Sequence, residues 1–131
     1  MSVEDELGIR RTIAAYCHLI DEGDFARLVQ EFAPNGSFAF GSQVATGPDA
    51  LLRWFEKNQP PHRRGKHLTV NTLVDIDGDR ARAVSDFVFL RWIGGALTVE
   101  ATGKYRDALV RIAGHWKIER RDTELLLPGS A

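Results

Sequence analysis

Tyr16-Cys17-His18-Leu19-Ile20-Asp21-Glu22-Gly23-Asp24-Phe25 sets a phenol and a carboxylate into the end of an apolar helical pattern. The pattern runs over residues 3–22. At about 100° per residue, Ile9, Ile20, Ile13, Cys17, Ala14 and Leu7 cover nearly half the wheel, with Arg10 interrupting. Gly23 is suited to end this helix, and Asp24 to cap a second one continuing to Phe32. Asp21 falls between Cys17 and Ala14 on the core-facing arc, and Tyr16 lies at the other edge, about 140° away. Asp21 is therefore either a helix-end carboxylate reaching solvent or a group held beside an apolar wall for a task. Tyr16 is either a core aromatic with its hydroxyl at the rim or a hydrogen-bond donor to a ligand oxygen.

Working outward, Pro34-Asn35-Gly36 signals a turn and residues 37–41 a short strand containing Phe38 and Phe40. Gly47-Pro48 opens a third helix carrying Leu51, Leu52, Trp54 and Phe55. The basic cluster His62-Arg63-Arg64-Gly65-Lys66 follows Pro60-Pro61 and reads as a solvated loop. Strand patterns then occupy 67–75, 80–92, 97–112 and 115–126, separated by Asp77-Gly78, Gly94-Gly95 and Ala113-Gly114. Helices first and hairpin-linked strands afterwards give an α+β class. The expectation is three N-terminal helices packed on a strongly curved antiparallel sheet, forming a cone with an open end. The 131 residues make one domain, with no repeat or linker and a short tail at 128–131.

His67 opens the second informative run, His67-Leu68-Thr69-Val70-Asn71. Its period of two puts His67, Thr69 and Asn71 on one face, which is either solvent-facing or the lining of a polar cavity. Imidazole changes protonation near neutral pH, and a neighbouring carboxylate fixes its tautomer. Asp21 and His67 are thus a candidate dyad. Asp86 stands in Ala83-Val84-Ser85-Asp86-Phe87-Val88-Phe89-Leu90, where both strand faces are apolar, so it requires either an arginine partner or a role in the site. Tyr105 shares a face with Asp107 and also points toward the cavity, while Gly103 marks a bulge or bend.

Composition narrows the chemistry. A net charge of -1 argues against nucleic acid. No apolar run approaches the roughly 20 residues of a membrane span. The acidic start of the chain has no signal-peptide pattern, and the single cysteine suits a reducing, cytoplasmic setting. The four histidines lack metal-ligand spacing, and neither a phosphate loop nor a nucleophile elbow is present. Proton transfer without cofactor or metal is the expected chemistry.

Tyr16-x4-Asp21-x-Gly23-Asp24-Phe25, the Phe32-Ala33-Pro34-Asn35-Gly36 turn, Gly47, His67-x3-Asn71 and Trp116-Lys117-Ile118-x2-Arg120 together resemble the SnoaL-like branch of the nuclear transport factor 2-like superfamily. The likeness spans almost the whole chain and implies the cystatin-like cone. Tyr16, Asp21 and His67 match the tyrosine, aspartate and histidine used by scytalone dehydratase and bile-acid 7α-dehydratase. Asp86 corresponds to a further pocket-facing position. The resemblance implies that Asp21 orients His67, that His67 acts as base and acid, and that Tyr16 polarises a carbonyl or assists a departing hydroxyl. The implied reaction is dehydration or isomerisation of a small hydrophobic cyclic ketone, phenol or steroid-like compound. The expected pocket is lined by Phe38, Phe40, Trp54, Phe55, Asn71, Val84, Val88 and Tyr105.

Ketosteroid isomerase carries its base where this chain has Phe38-Ala39-Phe40, so that activity is not implied. The alternative is a non-catalytic binding or assembly protein, as with ring-hydroxylating dioxygenase β subunits. In either case Phe87, Phe89 and Trp92 are expected on an outer sheet face that joins copies of the chain into a homodimer or higher homo-oligomer.

Overall fold

A computed structural model describes residues 2–128. Residues 129–131 of the expected tail lie outside the described residues. Helix α1 (Val3–Glu22) begins where Ser2 accepts the Asp5 amide hydrogen at 3.0 Å, and Glu4, Asp5 and Glu6 favour its positive end. It stops at Gly23, whose φ of 75° lets the chain turn back so that Asp24 N–H reaches the Leu19 carbonyl at 3.0 Å. Ile9, Thr12, Ile13, Tyr16, Cys17, Leu19 and Ile20 are its buried residues. The buried stripe is thus rotated toward Tyr16, and Leu7 and Ala14 are left exposed.

Asp24 caps α2 (Phe25–Gln30) as expected, but the helix stops at Gln30 and Phe32 opens the first strand instead of closing the helix. Helix α3 (Pro48–Asn58) packs Leu51 and Phe55 against both. The basic segment turns through a single 3-10 turn, Pro61–Arg63. It lays the Arg64 guanidinium over the end of α1, 5.4 Å from the Phe25 ring centroid.

Six strands follow the order β2-β1-β6-β5-β4-β3: β1 (Phe32–Phe40), β2 (Gln43–Thr46), β3 (Lys66–Asp77), β4 (Arg80–Ile93), β5 (Ala96–Ile112) and β6 (His115–Leu125). Strands β3 to β6 form the hairpins expected from their turn signals. The sheet is mixed, because β1 pairs parallel with β6. That pairing joins the two distant ends of the chain, so no local turn signal announces it. Pro34-Asn35-Gly36 sits inside β1 as an irregularity between Phe32 and Ser37 instead of preceding the strand. The sheet curves around the helices without closing, and the inner faces of β3–β6 and β1 meet α1 and α3 in one core. Gly103 is required where β5 and β6 approach closely: a Cβ there would stand 2.0 Å from the Glu124 carbonyl oxygen. Among the described residues no helix is long and apolar enough to cross a membrane.

Candidate active site

Helix α1 and strand β3 run side by side in opposite directions. Arg10 donates to the Thr72 carbonyl at 3.2 Å, the Cys17 thiol meets the Thr69 hydroxyl at 3.0 Å, and Asp21 meets His67. Eleven helical residues rise about 16 Å, and five strand residues span about the same. Matching lengths therefore carry the register from Arg10 down to Asp21. At that end the Asp21 Oδ1 lies 2.6 Å from His67 Nδ1, and the backbone N–H of His67 donates to both carboxylate oxygens at 3.0 and 3.1 Å. Both side chains are largely covered, 8% exposed for His67 and 15% for Asp21. An aspartate that accepts from Nδ1–H leaves Nε2 as the free ring nitrogen.

The other side of His67 faces a cavity of about 290 Å³ at the end of the cone. Phe38 and Phe40 of β1, Trp54 of α3, Tyr16 and Tyr105 line it as the sequence suggests. The His67 ring packs on Phe89 with centroids 4.4 Å apart and meets the Tyr16 ring edge-on at 6.5 Å. Asp21 stands behind the histidine and does not line the cavity.

Tyr16 and Tyr105 share a charged support that the sequence analysis did not single out. The Arg121 guanidinium lies 4.3 Å from the Tyr16 ring centroid and 4.0 Å from that of Tyr105. It pairs with Asp107 through two 2.8 Å hydrogen bonds, and both side chains are fully buried. Burial pushes the pKa of both phenols well above the ordinary range, making them weaker acids; the Arg121 charge opposes this only in part. Each hydroxyl is therefore a protonated donor at any physiological pH. Asp107 supplies the balancing charge that makes a buried arginine tolerable, and the alternating pattern Tyr105-x-Asp107 was its visible signal.

Several expected site residues lie elsewhere. Asp86 is half-buried on the outer sheet face, held by Lys104 Nζ at 2.8 Å and Asn71 Nδ2 at 2.9 Å. Those hydrogen bonds, Asn71's foremost, keep its carboxyl below the usual value of 3.8. Its partners are a lysine and an amide in place of an arginine. Asn71 leaves the His67 face because a bulge interrupts β3 between Val70 and Leu73, with Asn71 at φ 54°. Val84 and Val88 share the parity of Asp86 and pair with Leu73 and Leu68 on the outer face.

The inner positions of β4 are instead Ala83, Ser85, Phe87 and Phe89. Phe87 and Phe89 therefore wall the cavity and are not part of an outer surface, while Trp92 is 68% exposed. Phe55 is wholly buried behind the wall, stacked on Phe25 and tilted against Phe38, and its neighbour Trp54 takes the lining position. Lining residues without a sequence signal include Gln43, Gln59, Arg63, Glu100 and Thr123.

A larger groove of about 880 Å³ lies between α1 and the β5–β6 turn, but charged side chains such as Glu4, Arg11 and Lys117 dominate it. Among the described residues no group of three or more His, Cys, Asp or Glu side chains is arranged to hold a metal ion.

Comparison with known proteins agrees with this architecture. No curated protein sequence matches the chain. A function-unknown protein of Mycobacterium tuberculosis, Rv3472, superposes with a TM-score of 0.87 at 29% identity, over 93% of this chain and 72% of that one. An NTF2-like protein with a cystatin-like fold from Novosphingobium aromaticivorans gives 0.88 at 27% identity, covering 98% and 86%. A protein from the same organism, provisionally described as a scytalone dehydratase, shares the fold at TM-score 0.81 and 20% identity over 94% and 85%. The SnoaL-like domain profile matches residues 1–122, and the chain belongs to the SnoaL-like family.

Proposed function

We propose that this protein catalyses a cofactor-independent dehydration or isomerisation of a small, oxygenated, hydrophobic cyclic compound. One observation carries the reading: the Asp21–His67 pair, closed at 2.6 Å, opens its free ring edge into an apolar cavity that also holds two phenols. In this scheme His67 Nε2 removes a proton beside a ligand carbonyl or carbinol carbon. The Tyr16 hydroxyl donates to the oxygen on which negative charge builds. The imidazolium, steadied by the Asp21 carboxylate, then returns its proton to a departing hydroxyl or to carbon. Phe38, Phe40, Trp54, Phe87 and Phe89 keep water away while this occurs. Resemblance in fold to a provisionally assigned dehydratase supports the class of reaction.

A screen of cyclic hydroxyketones for loss of water or double-bond migration tests the reading. Asp21→Asn and His67→Ala are expected to abolish turnover in folded protein; full activity in both variants would sink it. For assembly we propose a homodimer formed by the outer sheet face. Leu68, Val70, Leu73 and Val99 are 42%, 44%, 69% and 58% exposed there, around the Asp86–Lys104 pair.

A further inference from the structure

His67 is the second residue of β3, and β3 is an edge of the sheet, so on one side no strand holds it. On the other side the pairing with β4 starts only one residue earlier, at Lys66↔Leu90. Strand ends at a sheet edge are among the first parts of a fold to open. Yet the Asp21 carboxylate engages both the His67 ring and its N–H.

Of the residues just before His67, Lys66 is exposed and Gly65 has no side chain; a Cβ at Gly65 would run into the Leu90 carbonyl. Arg64 is thus the first side chain upstream of His67 that reaches the helices, and it meets the ends of all three. Its Nε donates to the carbonyl of Gln59, which closes α3, at 3.2 Å. Its guanidinium carbon lies 5.4 Å from the ring centroid of Phe25, the first residue of α2. It also fills the space beside Gly23, the cap of α1, where a Cβ would stand 2.5 and 2.6 Å from its two terminal nitrogens. Gly23 is therefore needed twice, for its φ of 75° and for the room it leaves. The last turn of α1 holds no basic residue, so Arg64 also brings the cation that a helix C-terminus favours.

We propose that Arg64 is a positioning residue for the dyad: by tying the ends of the three helices together it sets where β3 begins, and so holds His67 against Asp21. Asp21 stands two residues before Gly23, and His67 three residues after Arg64. The two contacts therefore close one tight ring of chain between helix end and strand start. The inference rests on the Asp21–His67 pair being the acid–base centre.

The Nδ1 proton of His67, followed by long-range proton–nitrogen spectra of the full chain, reads the pair without substrate. In Arg64→Ala its resonance should move toward a weaker hydrogen bond, and its exchange with water should quicken about tenfold, the combined effect of one hydrogen bond and one cation–π contact. Arg64→Lys keeps the charge and loses the planar fork, and should behave like Arg64→Ala. Lys66→Ala removes a cation adjacent in the chain from an exposed position, and should match the unmodified protein. The Trp116 indole proton, donated to Asp5 at the far end of α1, should stay in place in every variant, which separates seating of the dyad from general loosening of the fold.

An unchanged His67 signal in Arg64→Ala, a native one in Arg64→Lys, or an equal shift in Lys66→Ala or at Trp116 overturns the proposal. An Arg64-dependent pair in a protein that turns over no cyclic hydroxyketone would sink the acid–base reading and leave the seating intact. A pair indifferent to Arg64 in an active protein does the reverse.

Discussion

Asp21 grips His67 twice, through the ring at Nδ1 and through the backbone N–H, so one carboxylate fixes both the tautomer and the place of the imidazole. The double grip depends on α1 and β3 having equal lengths between the Arg10–Thr72 and Asp21–His67 contacts. A residue inserted into α1 between Arg10 and Asp21 would turn the carboxylate about 100° away. Such an insertion should abolish turnover while leaving a folded sheet, as checked by circular dichroism and activity together.

The Arg121–Asp107 pair is a structural element with a functional consequence. Asp107→Leu leaves a buried guanidinium without its counter-charge and should destabilise the fold by about 3–5 kcal/mol. The double variant Asp107→Leu/Arg121→Met should recover much of that loss. Urea denaturation of both variants decides the matter; equal destabilisation would mean that the pair's charges are not what is being balanced.

Alkaline titration reads the two tyrosines directly, since Tyr16 and Tyr105 are the only ones in the chain. Both phenols are raised above their ordinary value of 10.0 by burial. The unfolded chain releases these protons near 10.0 while the folded one holds them. Their contribution to stability is therefore complete below that value and declines as pH rises beyond it. Tyrosinate absorbance should stay low in the native protein above pH 10.0 and appear together with unfolding. Ionisation of either phenol at the ordinary value in folded protein would contradict their burial.

Leu68, Val70, Leu73 and Val99 provide the test of assembly. Leu73→Lys should convert a dimer to a monomer in sedimentation velocity, with the cavity intact. A protein that sediments as a monomer without any substitution would refute the outer-face dimer.

Much of the fold is legible from local signals, and the site is legible where it depends on one periodicity. The alternation Leu68-Thr69-Val70 faces His67 inward correctly, and the α1 wheel brings Asp21 to the same side. Asn71 defeats that reasoning because a bulge with positive φ resets the alternation after Val70. In β4 apolar residues occupy both parities, so Asp86 could draw Val84 and Val88 to the wrong side. The decisive information is the register His67↔Phe89, which forces Phe87 and Phe89 inward. Arg121 becomes a neighbour of Phe38 only through the pairing of β6 with the distant β1, while Thr123 reaches Tyr105 across the β5–β6 hairpin. No periodicity in β6 alone marks them as cavity or support residues.

The central claim is that Asp21 holds the Nδ1–H tautomer of His67 and leaves Nε2 free toward the cavity. Long-range proton–nitrogen correlation spectra of the labelled imidazoles measure this without any substrate. The expected result is a strongly hydrogen-bonded Nδ1 proton on His67 with Nε2 unprotonated. In Asp21→Asn that signal should shift to a clearly weaker hydrogen bond, because an uncharged amide oxygen replaces the carboxylate and the amide –NH2 in place of the second oxygen cannot accept from the His67 backbone N–H. A His67 whose proton resides on Nε2 in the unmodified protein, unchanged by Asp21→Asn, would contradict it.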